Sequence, residues 1–189
     1  MDITERSKKY AEGKALSALN AAIEQAYIDG YNDGLKHLEN EKLEAIKEGV
    51  EYVDLGLPSG TLWSSTCLND GKNTRKLPYI EASKLSIPTK EQFEELISNC
   101  KYHEIYDDNK IICVWFIGNT GRRVSIPFVE IDELIRGFSK LYFWLRDDCE
   151  SNSKDFATID YANNKTNLKT DKVFMGCKLP VLLVKKKQK

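Results

Sequence analysis

The chain has 189 residues and a mass of 21.6 kDa, and its 41% hydrophobic content is enough to bury a core, which excludes wholesale disorder. A formal net charge of -1 and a pI near 6.2 leave no basic field broad enough to hold nucleic acid. No run of about twenty apolar residues exists to span a membrane. The opening MDITERSKKYAEGKALSAL carries charges throughout, unlike a signal peptide, so the chain as written is expected to stay cytoplasmic.

Asp2-Ile3-Thr4-Glu5 has the form of a helix N-cap with an acid three residues on. From there to about Glu48, apolar residues recur at three-four spacing: Leu16, Leu19, Ile23, then Ala26 or Tyr27, Gly30 or Tyr31, Leu35 and Leu38. A second stripe is small: Ala11, Ala15, Ala18, Ala22, Ala26, Gly30 and Gly34, a spacing that lets another helix approach closely. Each glycine costs a helix about 1 kcal/mol, so Gly30 and Gly34 mark either that approach or a break, with a second helix from Asn32 or Asp33 to Lys47. Residues 1–48 are expected to be a helical arm, a coiled coil or hairpin. It would self-associate as a dimer or trimer through Leu16, Leu19, Ile23, Ala26 and Gly30. The competing expectation, favoured by the bulk of Tyr27 and Tyr31, is a helix folded onto its own domain.

Residues 49–189 read as an α+β domain. Glu51 to Asn69 holds two β-prone halves around Pro58-Ser59-Gly60, a tight reversal, with Leu55, Leu57, Leu62 and Trp63 expected in the core. Asp70 to Lys76 is a polar surface loop. Thr89 with Gln92 forms a capping box, and Phe93, Leu96, Ile97 and Cys100 share one face of the helix that follows. Tyr106 to Lys110 is a turn, Ile111 to Ile117 a buried strand, Gly118 to Gly121 a hairpin turn, and Arg122 to Phe128 its partner strand. Glu130 to Lys140 is a short helix or loop. Leu141 to Leu145 is a strand, Arg146 to Asp155 a polar loop, and Phe156 to Tyr161 and Lys172 to Val184 the last strands. The terminal Lys185-Lys186-Lys187-Gln188-Lys189 reads as a frayed, solubilising end.

Val53-Asp54-Leu55-Gly56-Leu57-Pro58-Ser59-Gly60-Thr61-Leu62-Trp63 resembles, intact, the motif of the Fibrobacter-type major paralogous (FISUMP-like) domains, common in Bacteroidetes and their mobile elements. Ile87 to Leu96 is similar to that family's Leu-Pro-Thr-x-x-Glu-Phe-x-x-Leu helix start, with Gln92 in the acidic slot, and Gly118 to Pro127 echoes its hairpin. Later motifs depart from it: Tyr142-Phe143-Trp144-Leu145 stands for Tyr-Trp-Ser-Ser, and a glycine-rich insertion after Trp63 is replaced by Asn69 to Leu85. The resemblance covers Glu51 to Val184. It implies a C-type-lectin-like fold: a mixed, mainly antiparallel sheet with two short helices.

Candidate chemistry is sparse. Asp107, Asp108 and Asn109, or Asp147, Asp148, Glu150 and Asn152, offer the hard oxygens that calcium needs, but lack the arrangement of a lectin site and read as solvated turns. The five cysteines are odd in number, widely spaced and without a Cys-x-x-Cys, which points to reduced thiols. Two histidines cannot build a metal centre or a credible triad. No cofactor, catalytic residue or metal ligand is therefore expected. The aromatic, Asn- and Asp-rich segment from Tyr142 suits recognition of a protein or glycan, through Tyr142, Trp144, Arg146, Asp147, Asp148 and Asn152. Tyr142 and Trp144 alternate with Phe143 and Leu145, so one pair faces the core and the other is free to be exposed, unless all four are buried. The leading expectation is a non-enzymatic binding or structural protein, a virion component if phage-encoded. The alternatives are an intracellular enzyme or regulator, such as a relic of the formylglycine-generating oxidases, and a surface adhesin without its leader.

Overall fold

The computed structural model describes residues 2–71, 73–108, 110–128, 140–148, 151–162 and 165–187. The chain divides into two compact units, Met1–Glu48 and Gly49–Lys189.

The first unit is one uninterrupted helix, α1 (Ile3–Lys47), of 45 residues, about 67 Å long at 1.5 Å per residue. It contains no proline, and neither Gly30 nor Gly34 breaks it, because alanine, leucine, lysine and glutamate on either side all favour helix. The capping pattern at the start is only half realised. Asp2 is extended, and its carbonyl accepts from Arg6 N–H at 3.1 Å. Its carboxylate takes the Thr4 hydroxyl rather than a backbone N–H. The helix ends where Gly49 adopts a left-handed φ of 77°, which a residue with a Cβ resists. No residue of α1 is buried.

The second unit is α+β, with several small antiparallel sheets. β1 (Tyr52–Asp54), β2 (Thr61–Ser64) and β11 (Val184–Lys186) form one sheet in the order β1-β2-β11. β3 (Lys76–Pro78) pairs with β10 (Lys178–Pro180), while β4 (Lys101–Asp107), β5 (Lys110–Ile117) and β6 (Arg123–Pro127) form a meander. β7 (Lys140–Trp144), β8 (Ser153–Ala162) and β9 (Lys165–Phe174) form another. Two helices complete the unit, α2 (Tyr79–Ala82) and α3 (Lys90–Asn99). The core gathers Val53 and Trp63 from the first sheet and Leu55 and Leu57 from the turn between β1 and β2, Phe93 and Leu96 from α3, Val114, Phe116, Val124 and Ile126 from the meander, Phe143 from β7 and Leu145 just after it.

The Val53–Trp63 stretch is scaffold, and its polar side chains Asp54 and Ser59 tie it to the rest of the domain. Asp54 accepts from Gly56 N–H at 2.9 Å and from Lys187 Nζ at 2.7 Å, while its carbonyl takes the Thr120 hydroxyl at 2.6 Å. These bonds, with Lys187 foremost, hold the Asp54 carboxyl below the ordinary carboxylate range. Ser59 in the turn donates its N–H and hydroxyl to the two oxygens of Glu95 on α3, at 2.7 and 2.6 Å. The turn between β5 and β6 packs so tightly on this stretch that a Cβ at Gly118 would lie 2.6 Å from Leu55 Cα and Cβ. The capping box at α3 is complete, with Thr89 N–H donating to Gln92 Oε1 at 2.9 Å and Gln92 N–H returning to Thr89 Oγ1 at 3.3 Å. Phe93 and Leu96 are buried, and Ile97 and Cys100 are partly so.

Several expectations are corrected. Leu62 is half-buried rather than core, because it alternates with Thr61 and Trp63 and points to the other face of a three-stranded sheet. β5 is fully buried on one face only: Val114 and Phe116 are core, Cys113, Trp115 and Ile117 on the other face are half-buried, and Ile112, the extra residue where the β4–β5 register shifts, is exposed. The Asn69–Leu85 connection, for which the residues suggested no element beyond the Asp70–Lys76 loop, carries β3 and α2. The lysine tail is tied down through Lys187. β11 pairs antiparallel with β2, and Lys185 Nζ lies 4.1 Å from the Tyr52 ring centroid. The expected helix or loop at Glu130 to Lys140 lies outside the described residues as far as 139.

Candidate functional site

Tyr142 and Trp144, named as ligand contacts, are both core, with Tyr142 5% and Trp144 0% exposed, so of the two expectations for this strand the one with all four side chains buried holds. Phe143 and Leu145 are buried as well. Both faces of β7 are covered. Phe143 packs edge-on against Phe93 at 5.5 Å between ring centroids, while on the other face Trp144 meets Tyr79 at 5.3 Å and Tyr142 meets Phe156 at 5.6 Å. The Trp144 indole N–H donates to Leu77 C=O at 2.7 Å, so the ring is satisfied inside the fold.

Arg146 and Asp147 are also structural. Arg146 Nη2 donates to Leu85 C=O at 2.8 Å and Ser83 C=O at 3.2 Å, pinning the segment after β7 to the one after α2. Asp147 is 8% exposed; its C=O accepts the Tyr79 hydroxyl and its N–H donates back to the same oxygen, each at 2.8 Å. Its carboxylate accepts from Lys172 Nζ at 3.0 Å and from Asp155 N–H at 3.3 Å, and Lys172 also pairs with Asp155 at 3.0 Å. The two carboxylates raise the Lys172 ammonium above the usual lysine range. A cation sits where the sequence allowed a calcium ligand set. Asp148 and Asn152 remain exposed, the latter with its C=O taking Met175 N–H at 2.9 Å. Asp107 and Asp108 are exposed at the β4–β5 turn, while Asn109, Cys149 and Glu150 lie outside the described residues. Among the described residues no three His, Cys, Asp or Glu side chains converge as a metal site.

Concavity lies elsewhere. An open cleft of about 440 Å³ is lined by Glu51, Val53, Ser65 and Ser125 with the Gly121-Arg122-Arg123 segment leading into β6. Its floor is a backbone ladder: Ser65 N–H donates to Glu51 C=O at 2.7 Å and Ser125 N–H to Ser65 C=O at 2.8 Å, with Thr66 and Ser125 forming a parallel bridge. Along β6 the alternation sends Val124 and Ile126 inward and leaves Arg123 and Ser125 on the outer face. There the Arg123 guanidinium lies 3.6 Å from the Trp115 ring centroid. The sequence reading took Arg122 and Arg123 only as the start of a strand. Adjacent arginines directly after a Gly-x-x-Gly turn were the available signal.

On the arm, Leu16, Leu19 and Ile23 are 59%, 56% and 59% exposed, and Ala26 and Gly30 on the same helix are exposed too. A Cβ at Gly30 or Gly34 would meet nothing within 4 Å. No helix among the described residues is long and apolar enough to cross a membrane. Comparison with protein-family models, with curated proteins and with solved structures gives no match for this chain.

Proposed function

We propose that this protein is a non-enzymatic binding module, in which the arm assembles copies and the α+β domain presents a ligand surface. The observation that carries the reading is a 45-residue helix without one buried residue that exposes ten large apolar side chains, from Ile3 to Leu38. Helices draw most of their stability in water from packing an apolar face. Apolar area left in water forgoes about 25 cal/mol per Å². A second copy offers the same face by symmetry. Charge supports an antiparallel pair: residues 2–14 carry four basic and three acidic side chains, and residues 29–48 carry six acidic and three basic. Between Ala15 and Ile28 the only charge is Glu24, so two arms register on this middle with opposite ends side by side. A dimer follows rather than a trimer.

The Val53–Trp63 motif is consistent with a FISUMP-like, C-type-lectin-like scaffold, since Leu55, Leu57 and Trp63 are core, and Gly56 and Gly60 take left-handed φ values of 72° and 69°. That kinship favours display on a virion or cell surface over catalysis. Light scattering coupled to size exclusion tests the arm, on the full chain and on Leu16→Asp/Ile23→Asp. The full chain should elute at twice its monomer mass and the variant at once. A monomeric full chain at high micromolar concentration removes the reading.

A further inference from the structure

We infer that the cleft between Glu51 and the Arg122-Arg123 pair at the start of β6 is a binding site for a small hydroxylated ligand carrying a single acidic group, the chemistry of a hexuronic acid. The inference supplies a ligand class to the binding role proposed above. It does not depend on the arms pairing.

Two adjacent arginines line the cleft. Arg122 and Arg123 are both exposed, and neither guanidinium makes an ion pair or a side-chain hydrogen bond among the described residues. The Arg123 guanidinium lies over the Trp115 ring, 3.6 Å from its centroid, a contact that holds the group without using its N–H donors. A guanidinium held this way loses little freedom when it captures a carboxylate through two parallel bonds. Arg122 follows a turn tied at both ends: Gly118 N–H donates to Arg122 C=O at 2.9 Å, and Arg122 N–H to Thr120 Oγ1 at 3.3 Å. The backbone that aims both arginines is therefore fixed before any ligand arrives.

The rest of the cleft restricts what the ligand is. Glu51 is an exposed carboxylate on the same rim, and the chain as a whole is slightly acidic. Both oppose a polyanion, so a nucleic acid or a polyphosphate is disfavoured. What Glu51 accepts well is a hydroxyl, and the Ser65 and Ser125 side chains can each donate and accept beside it. One oxyanion at the arginines and several hydroxyls toward Glu51 and the serines describe an acidic monosaccharide. A volume of about 440 Å³ suits one such unit and lies within the range of small-molecule sites.

Calorimetric titration of the full-length protein with glucuronate, glucose and sodium sulfate tests the assignment. Glucuronate is expected to bind saturably, glucose and sulfate each about tenfold more weakly or worse. Arg122→Ala and Arg123→Ala should each lower glucuronate affinity about tenfold or more. Glu51→Gln should narrow the preference for glucuronate over sulfate. These side chains are exposed, so unchanged thermal unfolding certifies each variant as folded. Trp115 emission should shift with glucuronate, and the shift should be lost in Trp115→Phe. No saturable glucuronate binding up to about 10 mM, roughly tenfold above a millimolar Kd, overturns the inference. Sulfate equal to glucuronate, or affinity untouched by both arginine substitutions, also overturns it. Light scattering on the same samples separates the outcomes: a dimer that fails to bind refutes the cleft alone, and a monomer that binds refutes the arm alone.

Discussion

Replacing Gly118 by alanine is expected to destabilise the α+β domain by about 3 kcal/mol, the upper end of the usual penalty for overpacking. The magnitude follows from what the new methyl group meets. It would stand 2.6 Å from Leu55 Cα and Cβ, and closer still to the Leu55 carbonyl oxygen. Ordinary contact needs about 3.5 Å or more, so backbone, not a flexible side chain, has to move by about 1 Å. Leu55 is fully buried in the core and Asp54 beside it is bonded to Thr120, so neither loop can retreat cheaply. The assay is tryptophan emission during urea unfolding. All three tryptophans, Trp63, Trp115 and Trp144, belong to the domain and none to the arm, so the signal reports the domain alone. With a slope of about 2 kcal/mol per M, the midpoint should fall by about 1.5 M. Gly60→Ala is the control: its φ is 69° but a Cβ there meets nothing within 4 Å, so only the left-handed strain of about 1 kcal/mol applies. An effect at Gly118 equal to or smaller than that at Gly60 would refute the steric reasoning.

Other expected outcomes concern charge, burial and the arm. Lys172→Met strands the buried Asp147 carboxylate and should lower the urea midpoint at neutral pH, whereas Lys172→Arg should keep most of it; equal midpoints for the two variants would contradict a charge lock. Burial pushes the Cys67 thiol from its ordinary 9.0 up to about 12. The unfolded chain therefore loses this proton near pH 9 while the folded chain keeps it, and stability must fall as pH rises between those values. At about pH 10.5 the loss from this group is about 2 kcal/mol, so wild type should decline more than Cys67→Ala between about pH 8 and that point. Far-UV ellipticity of the full chain should drop on dilution as paired arms separate. Gly30→Ala with Gly34→Ala should restore helix at low concentration, by about 1 kcal/mol each; an ellipticity independent of concentration would argue against pairing.

Local chemistry made much of this protein legible before any fold was known. The α3 capping box needs only Thr89 and Gln92, three residues apart, and it forms with both its bonds. The reversal at Pro58-Ser59-Gly60 and the hairpin turn at Gly118 to Gly121 are likewise short-range, each written in residues that tolerate or impose a special backbone. Three-four spacing marked residues 1–48 as helical but left open a break at Gly30 and Gly34, which the single helix does not have. The sequence pattern did not show β4, and of β9 it showed only the end from Lys172. Lys101–Asp107 and Lys165–Phe174 are polar for strands, and they are strands because β5 and β8 pair with them. Residue types also misled at the expected display segment, where aromatics that could face outward are covered by Phe93, Tyr79 and Phe156 from other parts of the chain.

What the sequence alone determined is therefore the set of elements whose hydrogen bonds close within a few residues. Tertiary structure decided which face of each strand meets water and which charges meet. Asp147 finds Lys172, 25 residues on, and Ser59 finds Glu95, 36 residues on. Glu51, Ser65 and Arg123 come to one cleft only because β1, the end of β2 and β6 are laid side by side by backbone pairing. Such meetings depend on the packing of distant segments, for which no local pattern in the chain carries a signal.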